Sequence, residues 1–275
     1  MANQTGSSEP EGHGPVNSTS RRKYAYKPPS PILTALEIRA SWELGAWLMS
    51  LPLLRSAPKG DGHPVLVFPG LAASDFSTIP LRQFLKGIGY TPYPWNFGRN
   101  LGPRPGVLRG CAEHVKELRE KHGQNVSLIG WSLGGLYARE VAKIAPEHVR
   151  YVITLGTPFT GHPKANHAWR FFEFASGLKV GDPKLHEPLR HSPPVPTTSI
   201  YSRSDGVVSW KCSLETESPL TENIEVIASH LGMGVNPATL FAIADRLSQP
   251  EGQWKKFERY GIRKLFYPEP RYYRH

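Results

Sequence analysis

Asn125-Val126-Ser127-Leu128-Ile129-Gly130-Trp131-Ser132-Leu133-Gly134-Gly135 decides how this chain is read. Val126 to Ile129 form a short apolar run, as a buried strand requires. An abrupt turn follows, and Leu136, Tyr137 and Val141 then recur at helical spacing. The turn is Gly130-x-Ser132-x-Gly134, the pattern of a nucleophile elbow. A serine thrown outward at so tight a reversal sits in a strained backbone conformation. Its neighbours must be small for strand and helix to pass each other. The helix that follows points its first amides at the place where an oxyanion would form. A Gly-x-Ser-x-Gly run alone is also an ordinary glycine-rich turn; the strand before it and the helix after it favour the elbow.

At 275 residues, 39% of them hydrophobic, the chain is long enough to bury a sizeable core. Cys111 and Cys212 are its only cysteines. They leave no metal-ligand spacing and no disulfide framework, and free thiols in a reducing compartment are expected. The formal net charge is +10. Such a balance can serve nucleic acid, an anionic membrane surface or solubility. Basic residues gather at the ends: Arg21, Arg22 and Lys23, then Lys255, Lys256, Arg259, Arg263, Lys264, Arg271 and Arg274. Aromatic residues interleave the second group, but no nucleic-acid-binding signature accompanies them. No nucleic-acid partner is expected; the tail is read as packing its rings on the domain while its charges stay solvated.

Residues 1–30 are polar and rich in Gly, Ser, Pro and Asn, a composition that cannot bury enough surface to stay ordered. No basic stretch leads directly into an apolar one, so no signal peptide is read there and a cytoplasmic location is expected. Residues 31–57 form an amphipathic helix, with Ile32, Leu36, Trp42, Trp47, Leu48 and Leu51 on or near one side and Glu37, Arg39 and Glu43 elsewhere. Its charges and length argue against a membrane span. Docking on the main domain is the plainer reading, and peripheral contact with lipid or a partner stays open.

The main domain is assigned to 58–248. Strands are expected at 64–68, 89–95, from 125 to the turn at 130, 149–155, 197–201 and 223–227, with helices at 79–86, 107–121, from 134 and from 237 to about 247. Alternating strands and helices predict an α/β fold: a mostly parallel sheet with helices on both faces. Between about 160 and 196 the pattern changes to an aromatic cluster followed by many prolines. This reads as an inserted helical cap, a lid or acyl pocket rather than a passive excursion. Residues 249–275 form the basic, aromatic tail.

A serine hydroxyl is a poor nucleophile unless a base lies within hydrogen-bond reach and a carboxylate holds that base in the right tautomer. Behind an elbow serine the chain order is Ser, then Asp or Glu, then His, each at the C-terminal end of a strand. Asp205 follows the 197–201 strand and His230 follows the last strand. Asp205-Gly206 is also a turn signal, and His230 is one of eleven histidines. Their order and placement together single them out as partners of Ser132. Asp182 and Glu215 are weaker acids by position; His63 and His114 precede the serine, His162, His167, His186 and His191 lie in the cap, and none of them follows a late strand as His230 does. The oxyanion needs two amides: Leu133, next after the nucleophile, gives one, and Leu71, after Gly70, is the best placed for the other.

With these residues assembled, the chain resembles α/β-hydrolases over 63–247. Within them it is similar to the lipase and esterase branch that includes bacterial triacylglycerol lipases and glycosylphosphatidylinositol-inositol deacylase-like proteins. The carriers are Phe68-Pro69-Gly70-Leu71, Gly130-Trp131-Ser132-Leu133-Gly134-Gly135, Leu155-Gly156-Thr157-Pro158, Ser204-Asp205-Gly206-Val207-Val208 and Ser229-His230-Leu231-Gly232. The resemblance implies Ser132 as nucleophile, His230 as base, Asp205 as its orienter and Leu71 and Leu133 as oxyanion amides, with no metal or organic cofactor. Two departures stand out. Pro69-Gly70 replaces a common His-Gly, and Phe159 stands where many lipases have the histidine of Thr-Pro-His. An esterase acting on a hydrophobic acyl group is expected, with Trp131, Phe159, Trp169 and Phe172 at the substrate. A thioesterase, amidase or acyltransferase would use the same residues, and a non-catalytic module that binds a membrane or partner is the alternative from another class.

Overall fold

Residues buried along their whole length make the central strands. Pro64–Phe68 (β1), Val149–Leu155 (β4) and Thr197–Tyr201 (β5) are entirely buried, and Val126–Trp131 (β3) is buried up to its last residue. Strands covered on both faces read as mainly apolar runs, unbroken in β1 and interrupted by Ser127 in β3 and by Arg150 and Thr154 in β4. Thr91–Pro94 (β2) and Thr221–Glu225 (β6) complete a six-stranded sheet in the order β2-β1-β3-β4-β5-β6, with every pairing parallel. The computed structural model describes residues 27–161, 165–167, 169, 172–173, 177 and 189–269.

Alternation along the strands splits the core in two. Val65, Val67, Ile129 and Ile153 face one side, against Ile79–Gly87 (α3) and Pro237–Leu247 (α6). Leu66, Phe68, Leu128 and Val152 face the other, against Val107–His122 (α4) and Leu133–Ile144 (α5). Because β1 lies between β2 and β3, the strand order reverses at β1. The C-terminal ends of β1 and β3 therefore flank the crevice where ligands bind in open α/β sheets.

The last strand begins two residues before the expected 223. Its ladder runs from Thr221 opposite Thr197 to Glu225 opposite Tyr201. Its polar start hid it: Glu222 is buried, yet its carboxylate accepts from Thr198 Oγ1 at 2.7 Å, Arg246 Nη1 at 3.0 Å and the Phe257 amide at 2.6 Å. Cys111 and Cys212 are free and buried. In the C-terminal tail Trp254, Phe257 and Tyr267 pack on the first core, and the Arg263 guanidinium lies 5.0 Å from the Phe241 ring centre.

The N-terminal segment corrects the expected orientation. It comprises Pro31–Ala35 (α1), a 3-10 turn at Leu36–Arg39 and Ala40–Leu54 (α2). Of the residues expected to face the domain, Ile32, Leu36, Trp42 and Leu48 are exposed. Glu37 is buried instead, and Trp47 and Leu54 pack on the core. Apolar residues lie almost all round this segment, so periodicity alone could not choose its face; three charged side chains did, as described below. Most of the expected cap at about 160–196, nearly all of the polar N-terminus at 1–30, and Arg21, Arg22, Lys23, Arg271 and Arg274 lie outside the described residues.

Candidate active site

The elbow is built as its sequence demands. Ser132 has φ 52° and ψ −120°, a conformation that few residues other than glycine adopt. Its amide donates to the Leu155 carbonyl at 2.8 Å, tying the turn to β4. Three glycines let the surroundings close on it. A Cβ on Gly130 would overlap the backbone of Gly134 and Gly135, one on Gly134 the carbonyls of Phe68 and Pro69, and one on Gly135 the side chain of Thr157. The strain of the serine is held by this packing on every side.

Three loops at the C-terminal edge of the sheet meet around Ser132. Its Oγ lies 3.0 Å from His230 Nε2, and His230 Nδ1 lies 2.7 Å from Asp205 Oδ2. Asp205 Oδ1 accepts from the amides of Val207 at 2.8 Å and Val208 at 2.7 Å, which fixes the carboxylate in its loop. Asp205 and His230 are buried. Burial opposes a charge on the His230 imidazole. The charge and hydrogen bond of Asp205, with a further contribution from the charge of Glu37, outweigh it and hold the pKa above the ordinary 6.5.

Gly70 sits against the elbow: a Cβ there would lie 3.5 Å from Ser132 Cβ. The Gly70–Leu71 turn thus borders the nucleophile. Leu133 opens α5, and the amides of a helix's first turn have no partner within the helix. Buried Asn100, which the sequence reading passed over, pins the turn. Its side-chain amide donates to the Pro69 carbonyl at 2.8 Å, its carbonyl accepts from the Ala72 amide at 2.7 Å, and its own amide donates to the Ala73 carbonyl at 2.9 Å. A lone Asn in a loop carries no pattern that predicts such a role.

Beside the elbow an apolar cavity of about 130 Å³ is lined by Pro103, Arg104, Leu108, Leu133, Leu136, Tyr137, Glu140, Phe172 and Leu189. Of the four aromatic residues expected at the substrate, Phe172 lines this cavity and Trp169 is half-buried. The other two have different surroundings. Trp131 Nε1 donates to the His230 carbonyl at 3.0 Å, so its indole supports the base loop. Phe159 is buried with its ring centre 3.8 Å from the Arg139 guanidinium carbon. Arg139 pairs with Glu215, which also accepts from Ser192 Oγ at 2.6 Å, and reaches the His191 carbonyl at 3.1 Å. The Arg139 guanidinium thus lies over the Phe159 ring and ties it to the insertion's return. Among the described residues no cluster could hold a metal ion.

A second Ser-His-Asp set lies at the other end of the sheet. His63 Nε2 is 2.8 Å from Ser127 Oγ, and His63 Nδ1 is 2.5 Å from Asp61 Oδ1. Its surroundings are those of a structural tie. Ser127 is a regular residue of β3, both Ser127 and His63 are fully buried, and Arg150 approaches His63 Nδ1 at 3.0 Å and Asp61 Oδ2 at 2.7 Å. Burial and then the Arg150 charge lower the His63 pKa. The set pegs the starts of β1, β3 and β4 together, without the outward turn and free helix amides that acyl chemistry needs.

Comparison with known proteins agrees with this architecture. Residues 41–268 match the Alpha/beta hydrolase family, and the chain belongs to that family. It is 30% identical over 109 residues to a pimeloyl-[acyl-carrier protein] methyl ester esterase of Pseudoalteromonas atlantica, a match covering 38% of this chain and 41% of that protein. It is 32% identical over 131 residues to a triacylglycerol lipase of Pseudarthrobacter phenanthrenivorans, covering 44% and 39%. The chain spans about two-fifths of the length of these curated relatives. Among solved structures, Aspergillus fumigatus lipase B superposes with a TM-score of 0.54 at 20% identity, covering 72% of this chain and 56% of that one. An alpha/beta superfamily hydrolase from Oenococcus oeni superposes with a TM-score of 0.51 at 16% identity, covering 69% and 94%. At such identities these two speak for the fold alone.

Proposed function

We propose that the protein is a serine hydrolase of carboxylic esters with a hydrophobic acyl group. The observation that carries this reading is the chain of contacts Ser132 Oγ–His230 Nε2–Asp205 Oδ2 at the strand ends, with an apolar cavity beside Leu133. Ser132 Oγ attacks the acyl carbon while His230 Nε2 takes its proton. The carbonyl oxygen becomes an oxyanion, met by the amides of Leu133 and Leu71. The tetrahedral adduct collapses as His230 gives the proton to the departing alkoxide, leaving an acyl-serine. Water, deprotonated by His230, releases the acid and restores Ser132.

The cavity supports an apolar acyl chain. The outer face of the N-terminal segment supports work at a lipid–water boundary. Trp42 is 80% exposed and Met49 86%, and Leu231, next to the base, is exposed as well. No described helix is long and apolar enough to cross a membrane, so the contact read here is peripheral. The test is a ladder of p-nitrophenyl esters of rising acyl length, with Ser132→Ala in parallel. Turnover is expected to fall by about 10³-fold or more in the variant. Turnover that survives Ser132→Ala overturns the reading, and so does failure of wild-type Ser132 to react with a fluorophosphonate.

A further inference from the structure

Behind Asp205 and His230 lies a carboxylate that the chemistry above does not use. Glu37, in the 3-10 turn between α1 and α2, is only 7% exposed. Its Oε1 accepts from the Gly206 amide at 2.7 Å and the His230 amide at 2.9 Å, and its Oε2 accepts from the Leu231 amide at 2.9 Å. These donors belong to two separate loops, one carrying the acid and one the base. Hydrogen bonds to a carboxylate are the strong kind, and one buried without such donors would be costly.

The rest of the segment engages the same two loops. Thr34 Oγ1 donates to the Gly206 carbonyl at 2.9 Å, and Arg39 Nη2 donates to the carbonyls of Ser204 and, at 3.0 Å, Ala228. Glu43 accepts from the Ser229 amide at 2.8 Å and from its hydroxyl. A Cβ on Gly206 would overlap the Leu33 carbonyl, so glycine is what lets α1 come this close. Thr34, Glu37 and Arg39 precede the residues matched to the family, which begin at 41.

We propose that Glu37 is a positioning residue of the catalytic centre: its carboxylate sets the separation of the Asp205 and His230 loops and places negative charge behind the imidazole. The proposal rests on the serine-hydrolase reading of Ser132. The groups facing His230 are Ser132 on the elbow, Asp205 from the loop after β5, and Glu37 from the N-terminal segment, with Glu43 and Arg39 bound to the neighbouring backbone. Imidazolium forms whenever Ser132 gives up its proton. A second carboxylate beside it favours that charged form, as does correct alignment of the acid and base loops.

The experiment compares the full-length chain with Glu37→Gln, Glu37→Asp and Ser132→Ala in hydrolysis of p-nitrophenyl butyrate. It reads kcat, KM and the pH profile of kcat/KM, with thermal unfolding of each protein. The rate of fluorophosphonate labelling of Ser132 gives the same comparison where the ester turns over slowly. Glu37→Gln keeps the shape, removes the charge and turns an amide against the N–H donors. It is expected to lower kcat about tenfold or more, with KM within about threefold. The acid limb is expected to move down in pH, because a group that raises the His230 pKa has gone. Glu37→Asp keeps the charge and should restore the limb and part of kcat.

A folded Glu37→Gln protein with wild-type kcat and acid limb overturns the proposal, as does lower stability with both unchanged. Where Glu37→Gln does not fold, Glu37→Asp decides: wild-type kcat overturns the proposal, and lowered kcat with an unmoved limb supports it. An inert Ser132→Ala beside a normal Glu37→Gln removes this proposal alone. An active Ser132→Ala removes the serine reading on which it stands.

Discussion

At the scale of single residues, the site turns on the proton state of His230. In the proposed mechanism the imidazole must be neutral to take a proton from Ser132, so activity is expected to fall as pH drops through its pKa. Asp205, and further off Glu37, outweigh the burial that opposes charge and hold that pKa above 6.5. The acid limb of kcat/KM should therefore lie above pH 6.5 and be titrated by one group, which a pH series between 5 and 9 measures. Asp205→Asn removes the charge that orients the ring and stabilises imidazolium. By analogy with other triads, its kcat should drop by about 10²–10⁴-fold, with the limb displaced to lower pH. Ser132, Asp205 and His230 were legible in the sequence because each role demands a residue type at a strand end in a set chain order. Asn100 and Glu37 were not legible, since their roles are hydrogen bonds to backbone groups that only the folded chain brings near.

At the scale of elements, the insertion's return is fastened by a buried ion pair. Arg139 on α5 pairs with Glu215, and both are shielded from solvent. Removing one partner leaves an uncompensated buried charge, so Glu215→Ala should cost about 3–5 kcal/mol. Denaturant unfolding reads this directly, and the same variant should loosen Phe159 beneath the guanidinium. Strand and helix positions were predicted within a residue or two wherever an apolar run was long. The last strand was placed late because its first two residues, Thr221 and Glu222, are polar, and buried Glu222 is satisfied by hydrogen bonds from Thr198, Arg246 and the Phe257 amide rather than signalled by hydropathy. The face of the N-terminal segment was misread for the related reason that apolar residues lie almost all round it, leaving Glu37, Arg39 and Glu43 to choose which side meets the domain.

At the scale of the whole molecule, a catalytic edge and an apolar outer surface lie together. Exposed Ile38, Trp42, Met49 and Leu53 continue along the N-terminal segment whose opposite face holds the acid and base loops. If this surface meets lipid, Trp42→Ser should reduce sedimentation with phospholipid vesicles by about three- to tenfold while leaving hydrolysis of a short, water-soluble ester unchanged. Equal sedimentation of both proteins would remove the lipid reading and leave the ester chemistry standing.

The sequence by itself determined the family, the parallel sheet, the elbow and the identity and order of the three triad candidates. Those features follow from local rules: runs of apolar residues, small residues at a tight turn, and chemistry that few residue types can perform. Tertiary structure alone revealed the second set, Ser127-His63-Asp61, at the strand starts, since no local pattern joins residues 61, 63 and 127. It alone showed the Trp131 indole bonded to the base loop and the Phe159 ring beneath the Arg139 guanidinium. It alone bound the N-terminal segment to the catalytic loops, because carboxylate-to-amide bonds across some 170 to 190 residues are written in no local pattern.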